Sequence, residues 1–411
     1  MSAPSHQIAD GMVEPAPPAW WQSRGWGIVG ALSVTETVSW GVVYYAFAVF
    51  LVPMQRDLDL STTQLTGAFS LALLISAVAG IAVGRYLDRH GPRGLMTAGS
   101  VAATALVLAW SQVEGLTAFY ALWVALGLVM AVVLYEPAFT VIAKWFPDAA
   151  ERRRALTALT LVAALASFIF LPFSQALVDA HGWRDALVIL ALILGAVTIP
   201  LHAIVLRRAP DLKANRRAHG SSATAADALR STPFWLLSAA FFLASLTGIA
   251  MTIHAIPFLL ERGEHPAFAA FAVGLIGVSQ IPGRVLFALV AARLPRELAI
   301  TAVFATIAAG IAVIVGVQGT VALLTGFVLL GMGNGMTTLA RAAAIADHYG
   351  PGGYGTIAGV AAAATTVARA AGPVTAAVYA AAVGYTAVLW TMVGVAAAAP
   401  VLAHRAERTL A

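Results

Sequence analysis

Gly84-Arg85-Tyr86-Leu87-Asp88-Arg89-His90-Gly91-Pro92-Arg93 is a short basic stretch wedged between two long apolar ones. The flanking segments, 65–87 and 94–112, each run roughly 20 residues, enough for a helix to cross a hydrocarbon core about 30 Å thick. Lipid offers no partner to a backbone N–H or C=O, so a spanning segment this apolar is expected to be a helix. Gly91 permits a tight turn between the two.

Working outward, the same alternation recurs along the chain. Twelve spans are expected, at 26–52, 65–87, 94–112, 116–142, 153–177, 185–206, 234–260, 268–291, 298–317, 319–343, 355–381 and 384–404. The narrowest cut is Val317-Gln318-Gly319-Thr320; fusion there would leave eleven spans and put the C-terminus outside. The composition agrees, with 60% hydrophobic and 10% charged residues, against about 25% charged in a soluble domain.

The charges orient the bundle. Of 24 lysines and arginines, only Arg56, Arg184 and Arg262 fall on the side away from the N-terminus, and Arg284, Arg341 and Arg369 fall within spans. The rest, from Arg24 to Arg408, crowd into the alternate gaps. The positive-inside rule therefore predicts a multi-pass cell-membrane protein with both termini cytoplasmic. The net charge of +5 reads as a basic face toward anionic membrane lipid. Spread over separate short loops, it gives no nucleic-acid surface.

Residues 1–25 carry Pro15, Pro17 and Pro18 and read as a mobile cytoplasmic tail with no removable signal peptide. Residues 26–206 form an N-terminal six-helix bundle, 207–233 a cytoplasmic linker, 234–404 a C-terminal six-helix bundle and 405–411 a second tail. Two such halves suggest bundles that rock about a central site. The chain has no cysteine, which excludes disulfides and thiolate metal sites. No GxxxxGK[ST], HExxH or GxSxG motif is present, so no cofactor, metal or enzyme chemistry is expected. Trp21, Trp26, Trp110, Trp145, Trp183 and Trp235 fall at expected interfaces, as does His202.

Gly84 to Arg93 resembles the signature loop of the major facilitator superfamily: glycine, three residues, Asp88-Arg89, then Gly91 and a basic residue, Arg93, between helices 2 and 3. The resemblance covers about residues 26–404. It implies an all-α, twelve-helix transporter that alternates access without ATP and works as a monomer. It also implies that Gly84, Asp88, Arg89, Gly91 and Arg93 form a conformational latch. Gly84 would let helices approach closely. The second-half counterpart, Ala292-Arg293-Leu294-Pro295-Arg296-Glu297, lacks the glycines and the aspartate. Several segments are similar to the monocarboxylate porter branch: Gly25-Trp26-Gly27 through Tyr44-Tyr45-Ala46-Phe47, and Trp145-Phe146 before Arg152-Arg153-Arg154. Gln280-Ile281-Pro282-Gly283-Arg284 resembles that branch's carboxylate-x-x-x-arginine pair with glutamine in the acid's place.

An ionisable residue inside a membrane costs about 2.5–3.5 kcal/mol or more, so each needs a partner or a purpose. Arg284 lies away from both ends of its span, and its guanidinium fork matches a carboxylate. It is a candidate to hold a substrate carboxylate, with Gln280 one turn away; the other reading is a permanent ion pair. Glu36 and Glu136 are candidates for proton coupling, and Glu136 precedes Pro137, an expected break in helix 4. Arg369, Arg341, His254, Tyr44 and Asn334 are further candidates for substrate contact. Tyr45 and Tyr135 are polar groups read by default as packing residues.

Three intramembrane arginines against two glutamates leave one positive charge spare. The expected function is proton-coupled symport of a small organic anion, a monocarboxylate, with protons as the second partner. The alternative is proton-driven efflux of a drug or metabolite. Against it, Phe170-Leu171-Pro172-Phe173-Ser174-Gln175 lacks the Gly-Pro-x-x-Gly-Gly cluster of superfamily antiporters.

Overall fold

A computed structural model describes residues 19–146, 148–207, 229–291, 293–349 and 354–409. Eleven continuous helical stretches in it are long and apolar enough to cross a membrane. One of them, Arg154–Val205, has 52 residues and would span about 78 Å if straight. It turns back at Gly182 (φ 79°, ψ 166°), a conformation open to glycine. That stretch is two crossings, so the protein is an all-helical membrane protein of twelve crossings in two six-helix bundles. The Val317 cut is clean: one helix ends at Gly316 and the next starts at Thr320.

Several crossings are irregular: the fifth is interrupted at Ala164, the sixth ends in a π-helical segment, Leu201–Val205, and the first and fourth are broken midway. The first runs Ala19–Ser39, then a π-helical segment Trp40–Tyr45, then Ala46–Leu58. The fourth divides into Gly115–Val133 and Tyr135–Trp145 around extended Leu134 (φ −102°, ψ −169°). Pro137 has no N–H to continue the ladder, which accounts for the break expected there.

The first helix begins at Ala19, inside the segment expected as a tail, because no helix breaker follows Pro18 in Ala19-Trp20-Trp21-Gln22-Ser23. At the other end of the chain the twelfth crossing, Tyr385–Arg408, runs into the segment expected as the second tail, and Arg405 and Arg408 in its last turn complement the helix dipole. Residues 1–18, 208–228 of the expected linker, and 410–411 lie outside the described residues.

The halves meet where the second crossing packs on the eleventh, the fifth on the eighth and the first on the seventh. Aromatic residues fill the N-terminal half: Phe47 stacks on Phe69 at 4.5 Å, and Trp123 sits edge-on to both Phe47 and Trp110 at 5.0 Å. Trp110, Trp145 and Trp183 are therefore core residues, unlike the exposed Trp26 and Trp235. His202 is also buried rather than interfacial. Its ring meets Ser100 Oγ (2.7 Å), Met96 O (3.2 Å) and Thr35 Oγ1 (3.0 Å), joining the sixth, third and first crossings.

Arginines close each half at the end away from the signature loop. Arg184 pairs with Asp57 at 2.9 Å and donates to the carbonyl of Ser111 at 2.8 Å. In the second half Arg262 donates to the carbonyl of Ile314 at 3.1 Å and lies over the Phe258 ring. At the signature loop, Gly91 (φ 80°) ends the second crossing and Pro92 starts the third. Arg89 and Arg93 are exposed, and Lys144 donates to the carbonyl of Leu87 at 3.0 Å. Among the described residues, no atom of another element lies within 4 Å of where a Gly84 side chain would stand, so none of them makes the close approach expected there. The side chain of Asp88 lies outside what the structure describes.

Small residues bring helices together within each half. A Cβ on Gly127 would stand 2.6 Å from the carbonyl oxygen and 2.9 Å from the Cα of Ala72. Backbone cannot swing aside, so Gly127→Val is expected to destabilise the protein by roughly 1–3 kcal/mol. Gly30→Ala, whose new methyl meets nothing within 4 Å, should raise stability by about 0.5–1 kcal/mol. Thermal unfolding in detergent checks both; equal melting temperatures would refute the packing assignment.

Candidate functional site

A cavity of about 350 Å³ lies between the halves, and its two walls differ in chemistry. The first half supplies rings: Trp40, Tyr44 and Tyr45 from the π-helical segment, and Tyr135 and Phe139 from the fourth crossing. A π turn inserts one residue into the helical register; here both members of the Tyr44–Tyr45 pair border the cavity. Gly41 makes room for the segment, since a side chain there would strike the Phe170 ring. The rings form a continuous wall. Trp40 lies 4.8 Å from Tyr44 and 4.9 Å from Tyr135, and Tyr135 stacks on Phe139 at 5.1 Å and 9°.

The second half supplies the cations and amides. Gln280 and Arg284 come from the eighth crossing, Asn334 and Arg341 from the tenth, and Thr365 and Arg369 from the eleventh. Arg284 reaches across the seam: Nη1 donates to Thr160 Oγ1 at 3.1 Å, and Nη2 lies 3.5 Å from Gln280 Oε1. Its Nε–H is buried with no acceptor. Arg369 sits midway along its helix yet is accessible, because it borders the cavity. Its guanidinium lies over Trp40 (5.8 Å) and Tyr44 (6.0 Å) of the opposite half, a cation–π arrangement. Among the described residues no carboxylate comes within ion-pair distance of Arg284 or Arg369. Arg341 Nη1 donates to Thr365 Oγ1 at 3.1 Å.

Seven of the nine residues selected as substrate or proton candidates thus border one cavity: Arg284, Gln280, Arg369, Arg341, Tyr44, Asn334 and Glu136. Glu136 opens the second half of the broken fourth crossing and is accessible from the cavity. The other two stand behind the walls. Glu36 is fully buried; its Oε2 accepts from Trp40 Nε1 at 3.1 Å and its Oε1 has no partner. His254 is also fully buried. Its Nε2 donates to the carbonyl of Pro373 at 2.8 Å, which leaves Nδ1 to accept from the Tyr385 hydroxyl at 3.3 Å. It ties the seventh crossing to the eleventh and twelfth.

Trp40, Phe139, Thr160 and Thr365 escaped the reading of the sequence, and Tyr45 and Tyr135 were left as packing residues. A signal for Trp40 exists: Glu36, Trp40 and Tyr44 recur every fourth residue and so share a helix face. Among the described residues no cluster of three or more His, Asp or Glu could hold a metal.

A model of the Major Facilitator Superfamily matches residues 35–373. An oxalate:formate antiporter of Oxalobacter formigenes is 27% identical over 239 residues, 58% of this chain and 55% of that one. Monocarboxylate transporter 13 of Bos taurus is 28% identical over 270 residues, 64% and 60% of the two chains. An MFS-type efflux pump of Mycolicibacterium smegmatis is 28% identical over 270 residues, 62% and 61%. The matches to the antiporter and to transporter 13 thus span 55% and 60% of those relatives' lengths. A bacterial homologue of the human lysosomal transporter Spinster superposes with a TM-score of 0.76 at 15% identity, over 94% of this chain and 98% of that one. The nucleoside transporter NupG gives 0.73 at 12%, over 94% and 99%. These two structures share the fold.

The Glu36–Trp40 bond gives a direct test of how the ring wall is held. Glu36→Gln keeps an acceptor for the indole N–H, whereas Glu36→Leu leaves that buried donor unsatisfied, at about 1–3 kcal/mol. Melting in detergent should be near wild type for the first and clearly lower for the second. Equal melting of the two variants would show that the bond contributes nothing.

Proposed function

The chain belongs to the Major Facilitator Superfamily, and on that premise we propose that it carries a small organic anion, of the monocarboxylate class, by alternating access with a proton as co-substrate. Membership of this family supports a secondary transporter; the anion and the proton are our reading as well.

One observation carries it: Arg284 and Arg369 border the same cavity between the halves with no carboxylate in contact among the described residues. A cation in that setting is costly, and a bound carboxylate relieves the cost through charge-assisted hydrogen bonds. In this reading Arg284 and Arg369 hold the carboxylate, Gln280 and Asn334 add neutral contacts, and Tyr44 acts on the substrate site through Arg369, which lies over its ring. Arg341 adds to the positive field, and His254 braces the wall. The oxalate:formate antiporter and the monocarboxylate transporters among the relatives are compatible with an acid as cargo.

Glu136, open to the cavity at the head of a half-helix, is our candidate proton carrier, with Glu36 behind Trp40 the other. One proton per monocarboxylate makes the loaded step electroneutral. We further read the signature-loop end as cytoplasmic, with Gly84, Asp88, Arg89, Gly91 and Arg93 as latch and a single chain in the cell membrane as working unit. The efflux reading is favoured by one observation, the 28% identity to an MFS-type efflux pump.

Uptake into proteoliposomes of labelled monocarboxylates, with and without an inward proton gradient, tests the proposal. Wild type should show gradient-stimulated uptake and Arg284→Ala should lose it. Arg284→Lys keeps the charge but not the fork. Loss of a charged hydrogen bond worth about 1.5–3 kcal/mol predicts affinity at least about tenfold weaker. Unchanged transport by the lysine variant would remove Arg284 from the site. Glu136→Gln should abolish the response to the gradient; if it and Glu36→Gln both leave that response intact, neither acid carries the proton. Export stimulated by an opposing gradient, with no uptake of any acid, would favour the efflux reading.

A further inference from the structure

The carboxylate end of the cargo uses only one wall of the cavity, and the opposite wall says what the rest of the molecule is. Trp40 and Tyr44 are already covered: Arg369 lies over both, and they are only 8% and 2% exposed. Tyr45, Tyr135 and Phe139 are only partly buried and line the open space. Tyr135 and Phe139 lie one helical turn apart with stacked, nearly parallel rings, so an apolar surface runs on from one ring to the next. Tyr135 borders the same cavity as Arg284 and Arg369, so the ring wall and the two guanidiniums face one space.

From this juxtaposition we infer that the cargo is an aromatic carboxylate, its acid group on Arg284 and Arg369 and its ring on Tyr135 and Phe139. The inference rests on the carboxylate reading above and narrows it. A formate- or acetate-sized acid would satisfy the guanidiniums but leave the Tyr135–Phe139 face bare. A saturated ring would fill the space but lose the oriented contact between aromatic rings. Ring walls also attract cations, but here Arg369 occupies the Trp40–Tyr44 face and Arg284 repels a second positive charge. The cavity volume lies at the small end of the range for organic ligands, which fits one ring and its acid.

The matched pair benzoate and cyclohexanecarboxylate isolates the aromatic contribution, because both carry the same acid on a six-membered ring. Uptake of each labelled acid into proteoliposomes is compared for wild type, Phe139→Leu and Phe139→Tyr. Ring–ring contact predicts that wild type favours benzoate by about threefold to tenfold in KM, and both acids over acetate. Phe139→Tyr should retain the ratio and Phe139→Leu should bring it close to one. Equal handling of the pair by wild type, or a preference for acetate, would overturn the aromatic assignment and leave the carboxylate reading standing. A ratio unchanged in folded Phe139→Leu would overturn the assignment to this wall. No uptake of any of the three acids by folded wild type would overturn both readings together.

Discussion

A guanidinium halfway along a helix in lipid cannot reach bulk water by bending its side chain, so the protein must bring water, rings or opposite charge to it. Arg284 and Arg369 impose that demand at the centre of this molecule. The two bundles consequently stop short of close packing along their seam and leave a cavity there. The lost contact is offset elsewhere. Within the second half, Gly283 lies against the backbone of Met332 and Gly335 against that of Gln280, so the helices bearing the cavity residues approach as closely as backbones can. Across the seam, Ser167 Oγ donates to the carbonyl of Gly274 and Phe168 lies 6.0 Å from Phe271, packing the fifth crossing on the eighth beside the cavity.

Twelve crossings were legible because the membrane imposes a coarse rule: roughly 20 apolar residues, then a polar gap. The rule holds even at Val317-Gln318-Gly319, where three residues separate two helices. It is a weaker guide to which aromatic residues meet lipid. Trp110 and Trp183 lie at helix ends in the sequence, yet Trp110 donates to Met54 Sδ and Trp183 to Asp57 Oδ2 inside the protein. Length and hydropathy locate the end of a helix but not its rotation.

The cavity was legible on its charged side only. A lone arginine in an apolar span is conspicuous whatever surrounds it, so Arg284, Arg341 and Arg369 could be found one by one. The ring wall carries no such contrast, since Trp40, Tyr135 and Phe139 are ordinary residues for apolar helices. Their convergence depends on two backbone irregularities, the π turn at Trp40–Tyr45 and the interruption at Leu134. The second has a sequence cause in Pro137. The first has no proline and no glycine pair, only Gly41 against Phe170, a contact between helices that are far apart in sequence.

The arginines at the end away from the signature loop give the molecule an uneven stiffness. Arg184 fastens the sixth crossing to the ends of the first and third, and Arg262 fastens the seventh to the ninth. Each bundle is thus cross-braced at that rim by bonds within itself, while the seam between bundles holds side-chain hydrogen bonds such as Arg284–Thr160 and Ser167–Gly274 together with ring contacts. Two rigid bodies joined by a compliant joint convert a small change at the joint into a large displacement at the far rim. A ligand that grips rings on one body and guanidiniums on the other applies its force at that joint.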